Sequence, residues 1–185
     1  MHDQIARRRR RAADVGELSA ADENTMHLDL HAHDLSATIR AAAAALSPRC
    51  AERGVTLTVR IPQRWPGLPH DRHRIEQVVT NLLDNALTHT PVGGEITVRA
   101  TRPDEEHVRV SVIDTGDGIP PEHLETIFDR FHRLDPARDP VGSGLGLTIA
   151  RSLVRAHGGT LTAANRSDTP GARFDVTLPL APPGR

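Results

Sequence analysis

Asn81 and Asn85 stand one helical turn apart, and with Gln77 and Thr88 they fall at i, i+4, i+8 and i+11. That spacing draws a polar stripe along one side of a helix. An asparagine amide offers a carbonyl acceptor and an NH2 donor. Two such amides a turn apart can give oxygen to a hard cation and nitrogen to phosphate oxygens. Mg²⁺ suits such a place, because it keeps waters and shares ligands with nucleotide phosphates. Taken alone, two solvated amides on a helix face are the commoner explanation.

A second stretch, Asp114-Thr115-Gly116-Asp117-Gly118-Ile119, follows the apolar residues Val110, Val112 and Ile113. A carboxylate at the end of such a strand can accept a hydrogen bond from an exocyclic amine, as on adenine. Gly116 and Gly118 allow positive φ and close approach of a ligand to the backbone. A third stretch, Gly142-Ser143-Gly144-Leu145-Gly146-Leu147, leads into a helix. Three glycines before a helix N-terminus make a phosphate cradle of free N–H groups. No Gly-Lys-Ser/Thr follows, so it is not a Walker A loop. Nor does a strand run directly into it with dinucleotide-fold glycine spacing.

Each stretch is a weak or moderate signal, and the order of all of them is a strong one. Asn81 with Asn85, then Asp114 to Ile119, then Phe128-Asp129-Arg130-Phe131-His132-Arg133, then Gly142 to Leu147 resemble the N, G1, F and G2 boxes of sensor histidine kinases. That family belongs to the GHKL superfamily, with DNA gyrase, the heat-shock chaperone ATPases and MutL-type repair proteins. The resemblance covers about residues 28–180. It implies a Bergerat-type ATP-binding fold, with ATP and Mg²⁺ as cofactors. It implies that Asn81 and Asn85 bind the metal and the phosphates, and that Asp114 reads the adenine amine. Gly116, Gly118, Ile119 and Phe128 would line the base side. Gly142, Gly144, Leu145, Gly146 and Leu147 would close on the phosphates. The segment between Pro120 and Ser143 would be the ATP lid, and Arg133 its cation to the γ-phosphate.

Two departures stand out. Relatives often carry Lys or Arg three residues after the second asparagine, where this chain has Thr88. His89 stands where many relatives place a ring against the base. In the ATP-hydrolysing branches, a glutamate one turn before the metal-binding asparagine activates water. Asn81 holds that position here, and an amide is no general base at neutral pH. The pattern therefore points to phosphoryl transfer onto a protein side chain, with Asn81 and Arg133 as the catalytic candidates.

The expected acceptor is a histidine on a dimerisation hairpin, in cis or in trans, with a response regulator indirectly downstream. The pairs His2-Asp3, His33-Asp34 and His70-Asp71 do not continue as an acceptor motif. The reading is that residues 1–27 are the end of a hairpin helix and its linker, that 28–180 form the ATP-binding domain, and that 181–185 are a tail. The alternatives are a non-catalytic ATP-binding remnant and a serine kinase of the anti-sigma-factor type.

These residues need a scaffold. Leu35, Ile39, Ala42, Leu46 and Cys50 repeat at helical spacing behind the N-cap candidate Asp34, and Gly54 stops the run. Val55 to Ile61 alternates as a strand, and Pro62 to Pro69 reads as a Pro-rich connection. Ile75, Val78, Val79, Leu82, Leu83, Ala86 and Leu87 give a helix over about 72–90. Strands are predicted over 95–101 and 107–113. A short helix is predicted from Pro120-Pro121 to about Phe128, then a mobile loop over 132–143, a helix over 145–157, and a strand pair over 160–165 and 173–180. The order implies an α+β fold, a two-layer sandwich with three main helices on one face of a mixed, mostly antiparallel sheet.

Composition sets the outer limits. The chain has 185 residues, 37% of them hydrophobic and 25% charged, which fits one soluble globular domain. A net charge of −1 gives no reason to expect nucleic acid or an anionic membrane as partner. Aromatics are only 2%, so the core must be aliphatic. One cysteine, Cys50, allows no intrachain disulfide and fits the cytoplasm. No apolar run approaches the roughly 18 residues of a membrane span.

Overall fold

The structure is a computed structural model, and it describes residues 27–65, 67–132 and 144–181. The first helix, α1, spans Leu35–Glu52. Asp34 caps it, accepting from the Ser36 N–H at 3.0 Å and also from the Trp65 N–H at 2.9 Å. Its buried stripe includes Leu35, Ile39, Ala42, Leu46 and Cys50, the residues chosen by spacing. The chain leaves the helix through Gly54, whose φ of 63° is the left-handed value a C-terminal glycine provides.

Helix α2 spans Arg72–His89, and Asp71 caps it through the Arg74 N–H at 3.1 Å. Its buried face is the predicted set of seven apolar residues, Ile75 through Leu87. Because that face is sunk in the core, the opposite stripe with Asn81 and Asn85 is held in fixed register above it. Helix α3 spans Gly146–Ala156 and buries Ile149, Ala150, Leu153 and Val154.

Strands β2 (Thr56–Arg60), β4 (Glu95–Thr101), β5 (His107–Asp114), β6 (Thr160–Asn165) and β7 (Ala172–Pro179) form one sheet, in the order β2-β4-β5-β7-β6. Only β2 and β4 run parallel; the other pairs are antiparallel. Alternation splits the sheet. Ile96, Val98, Val110, Val112, Phe174 and Val176 are buried beneath the helices. Thr97, Arg99, Ser111 and Arg173 occupy the alternate positions, on the other face. The core is aliphatic, as the composition required, with Phe128, Phe174 and Trp65 its buried aromatic rings.

Two features depart from the sequence reading. A second, two-stranded sheet pairs β1 (His31–His33), where no element is predicted, with β3 (Leu68–His70), at the end of what reads as a Pro-rich connection. Strands of three residues are too short to show a period, and their partners lie far apart in the chain. The short helix expected from Pro120-Pro121 to Phe128 is instead two single 3₁₀ turns, Pro121–His123 and Thr126–Phe128. Its bonds run from i to i+3, Leu124 N–H to the Pro121 carbonyl and Asp129 N–H to the Thr126 carbonyl, the pattern of separate tight turns.

Candidate functional site

Asp114 ends β5 in the inward register of Val108, Val110 and Val112, so its carboxylate is carried under the helices and is 2% exposed. Its Oδ1 accepts from the Gly116 N–H at 2.9 Å and from the Ala172 N–H at 3.1 Å. Among the described residues none donates to the other oxygen. Burial pushes the Asp114 pKa up, against the pull of those two N–H groups and of His89 and Arg166 nearby. The result is a buried acceptor oriented by backbone, with one oxygen left for a polar hydrogen of a ligand.

The glycines around it are required by packing. A Cβ on Gly116 would stand 2.5 Å from the His89 carbonyl oxygen, so the turn after β5 and the end of α2 touch through backbone. Gly118 has φ +80° and lies against Asn165, where a Cβ would meet Oδ1 at 2.9 Å. The side chain of Asn165, at the end of β6, accepts from the Ile119 N–H and donates to the Ile119 carbonyl, both at 2.7 Å. Gly171 lies so close to the Asp114 carbonyl that a Cβ would be 2.1 Å away. Thr115 accepts the Glu95 N–H at 2.9 Å and so ties the turn to β4.

On the helical side, the Asn81 amide donates to the Gly146 carbonyl at 3.0 Å, across 65 residues of sequence. Asn81 of α2 and the glycine-rich start of α3 are thus in direct contact. Asn85 is half-buried on the same stripe. Thr88 donates back to the Asp84 carbonyl at 2.9 Å, and Arg49 is ion-paired to Asp84. Neither brings a cation toward the asparagines.

Phe128 is 6% exposed, packed edge-to-face on Phe174 with centroids 6.4 Å apart, and under the Arg151 guanidinium at 5.2 Å. Thr148 of α3 donates to its carbonyl at 2.9 Å. Phe128 is therefore an anchor that ties the segment after Ile119 to α3. Ile119 and Leu145 are buried, while Gly146 and Leu147 are partly exposed. Phe131 is 68% exposed with φ 61°, and its N–H reaches the Gly144 carbonyl at 3.1 Å. That bond ties the end of the segment after Phe128 to the start of α3. The lid positions Arg133 and Gly142 lie outside the described residues, as do 133–143 of the loop expected to be mobile and all but the last residue of the stretch 1–27 read as a hairpin end.

Sequence reasoning missed Asn165, Gly171, Thr115 and the Ala172 N–H. The last strand pair is legible as such, but nothing in its spacing shows that its two ends close on Asp114 and Ile119.

The arrangement is a two-layer α/β sandwich that carries a buried carboxylate acceptor at the end of β5 and an amide-to-glycine contact between α2 and α3. Residues 70–182 match the family described as histidine kinase-, DNA gyrase B-, and HSP90-like ATPase, and the chain belongs to that family. It is 41% identical over 129 residues to the adaptive-response sensory kinase SasA of Rippkaea orientalis, covering 70% of this chain and 33% of that protein. The SasA of a Synechocystis species is 40% identical over the same shares. The chain thus spans about a third of the length of the curated relatives it matches. Among solved structures, full-length ShkA in complex with AMPPNP superposes with a TM-score of 0.81 at 30% identity, over 93% of this chain and 35% of that one. The mycobacterial sensor histidine kinase MprB gives 0.70 at 30%, over 83% of this chain and 99% of that one.

Proposed function

We propose that this chain is the Mg-ATP-binding catalytic part of a two-component sensor histidine kinase, working in the cytoplasm. It transfers the γ-phosphoryl group to a histidine on a dimerisation segment, from which a response regulator is phosphorylated in turn. The observation that carries this reading is the buried Asp114 carboxylate, with both of its backbone donors on one oxygen. An acceptor so held suits the adenine amine, and its neighbours leave no room for side chains at Gly116 and Gly171.

The metal fits the residues present. Asn81 and Asn85 supply hard amide oxygens, and the described residues contain no group of three or more His, Cys, Asp or Glu side chains that could hold an ion unaided. Mg²⁺ is bound in this manner, through few protein ligands and the nucleotide's own phosphates. When bound it neutralises charge on the phosphoryl oxygens, the main catalytic requirement of phosphoryl transfer. Asn81 and Asn85 orient that cluster, the N–H groups at the start of α3 take phosphate oxygens, and Arg133 is the cation for the γ-phosphate. An amide at position 81 supplies no general base for water, which supports transfer over hydrolysis.

The test is transfer from γ-labelled Mg-ATP to a separately supplied dimerisation domain of a sensor kinase. Acid-labile, alkali-stable label on its acceptor histidine is expected. Loss of the label with Asn85→Ala is expected too. Rapid release of free phosphate with no labelled histidine would overturn the reading in favour of an ATPase.

A further inference from the structure

The nucleotide site uses the helix-covered side of the sheet. On the opposite side, the sheet holds a cavity of about 520 Å³ that this site does not use. Its walls include Arg60, Arg99, Arg166 and Arg173 against Glu95 and Asp168, an excess of two positive charges on a chain whose net charge is −1.

The arginines are not equivalent. Arg166 is paired to Asp168 at 3.3 Å, and Arg173 to Asp175 at 3.1 Å. Ser111 donates to the same Asp175 carboxylate at 2.6 Å. Arg60 of β2 and Arg99 of β4 face each other in register, and no described residue forms an ion pair or hydrogen bond with either side chain. Like charges directly opposed across two strands cost stability. Glu95, four residues before Arg99 on β4, offers an opposite charge that Arg60 feels, and its carboxylate is shared with the Thr58 hydroxyl and with Thr97, which donates to it at 3.0 Å.

A guanidinium pair so placed matches the spread oxygens of a phosphate chain, which each arginine can take in a bidentate manner. The lining offers one apolar side chain, Ile113, and no ring, so it provides no platform for a base.

We propose that this groove binds a compact, multiply charged phosphate-bearing anion, with Arg60 and Arg99 as its principal contacts.

The groove lies next to the nucleotide site without sharing its acceptors. Thr115, on its wall, follows Asp114 directly, and Asn165, on the same wall, holds Ile119.

The experiment is titration of the isotope-labelled chain with inorganic pyrophosphate, without divalent cation and at low salt, followed by NMR. Saturable shifts at residues of β2, β4 and the turn after Asn165 are expected, and they persist in Asn85→Ala. The double variant Arg60→Gln/Arg99→Gln should weaken that saturation at least tenfold and leave Mg-ATP affinity unchanged. Arg109→Gln, on an exposed strand position outside the groove, should leave both unchanged. Shifts confined to the surroundings of Asn81 and Gly146 would overturn the proposal. So would an equal loss in Arg109→Gln, which would reveal a diffuse basic surface. A glutamate-rich peptide that saturates the groove more tightly than pyrophosphate would overturn it in favour of an acidic protein partner.

Discussion

Asn165 and Ile119 grip each other through both faces of one amide: the Ile119 N–H donates to Oδ1 and Nδ2 donates to the Ile119 carbonyl, each at 2.7 Å. The end of β6 thereby fixes the segment that follows Gly118. Asn165→Ala removes two hydrogen bonds worth about 1 kcal/mol each. The nucleotide dissociation constant should rise several-fold, with the circular dichroism spectrum retained. Unchanged affinity, measured by calorimetry, would mean that the clasp serves stability alone.

Asp114→Asn separates recognition from stability. Oδ1 of the new amide still accepts from Gly116 and Ala172, but its NH2 meets the adenine amine donor to donor. Mg-ATP affinity should fall at least about tenfold, or ~1.4 kcal/mol. The folded pKa of Asp114 is raised by burial. Protonation of this group therefore favours the fold, a contribution present below the ordinary carboxylate pKa and lost as pH rises through the raised value. At neutral pH the charge opposes folding. The variant should melt at a higher temperature than the parent at pH 7, and the gap should close toward pH 3.

Gly171→Ala places a Cβ 2.1 Å from the Asp114 carbonyl oxygen at a φ of +138°. It should destabilise by more than about 1 kcal/mol in urea unfolding and weaken nucleotide binding as well. Gly93→Ala, at φ +81° with no atom within 4 Å of its Cβ, is the control. It carries backbone strain without the collision, and should leave nucleotide affinity intact.

Thr88→Arg should tighten ATP binding several-fold. The Thr88 hydroxyl is spent on its own helix, and its position lies one turn beyond Asn85 on the polar stripe. A guanidinium there gains the phosphate charge that threonine lacks. An unaltered dissociation constant at low salt would show that the stripe ends before the phosphates.

Two buried histidines set a pH dependence. His70 donates from Nδ1 to the Leu68 carbonyl and accepts the Thr38 hydroxyl at Nε2. His157 donates to the Leu153 carbonyl and accepts the Asp71 N–H. Burial lowers both pKa values. The neutral rings favour the fold, so this stability is full above the ordinary histidine pKa of about 6.5 and is lost as pH falls through the lowered values. Asp71, beside His157, has its pKa lowered from that of an ordinary carboxylate and titrates in a separate, more acidic window. Urea midpoints should drop between pH 7.5 and 5.5, and His70→Gln/His157→Gln should flatten the slope.

How much was legible follows from where each signal lives. The seven buried residues of α2 form a sustained 3.6 period, so its face and its asparagine stripe could be read from spacing. Asp114 could be read because alternation along β5 continues into it. The contact of Asn81 with Gly146 was not legible: the resemblance implies only that both residues face the phosphates, and no local pattern spans 65 residues. Gly171 and Asn165 are set by the meeting of two strand ends, and a glycine or an asparagine at a strand end has the same local signature whether or not it touches a site. The β1–β3 pair is invisible for the same reason: His31 opposite His70 is a tertiary fact with no periodic trace.

The sheet order has a consequence for biosynthesis. Strand β7 is the last strand of the described residues, yet it lies inside the sheet, between β5 and β6. One of the two N–H groups that orient Asp114 belongs to its first residue, Ala172. While the chain is emerging from a ribosome, helices α1 and α2 and strands β2, β4 and β5 can assemble, but β5 still has an open edge and the Asp114 carboxylate is only half held. On the proposed reading of Asp114, competence to recognise a nucleotide therefore waits until β7 has been made and slots into place. A nascent chain stalled before residue 172 should expose the β5 edge and give no protection against proteolysis on adding ATP.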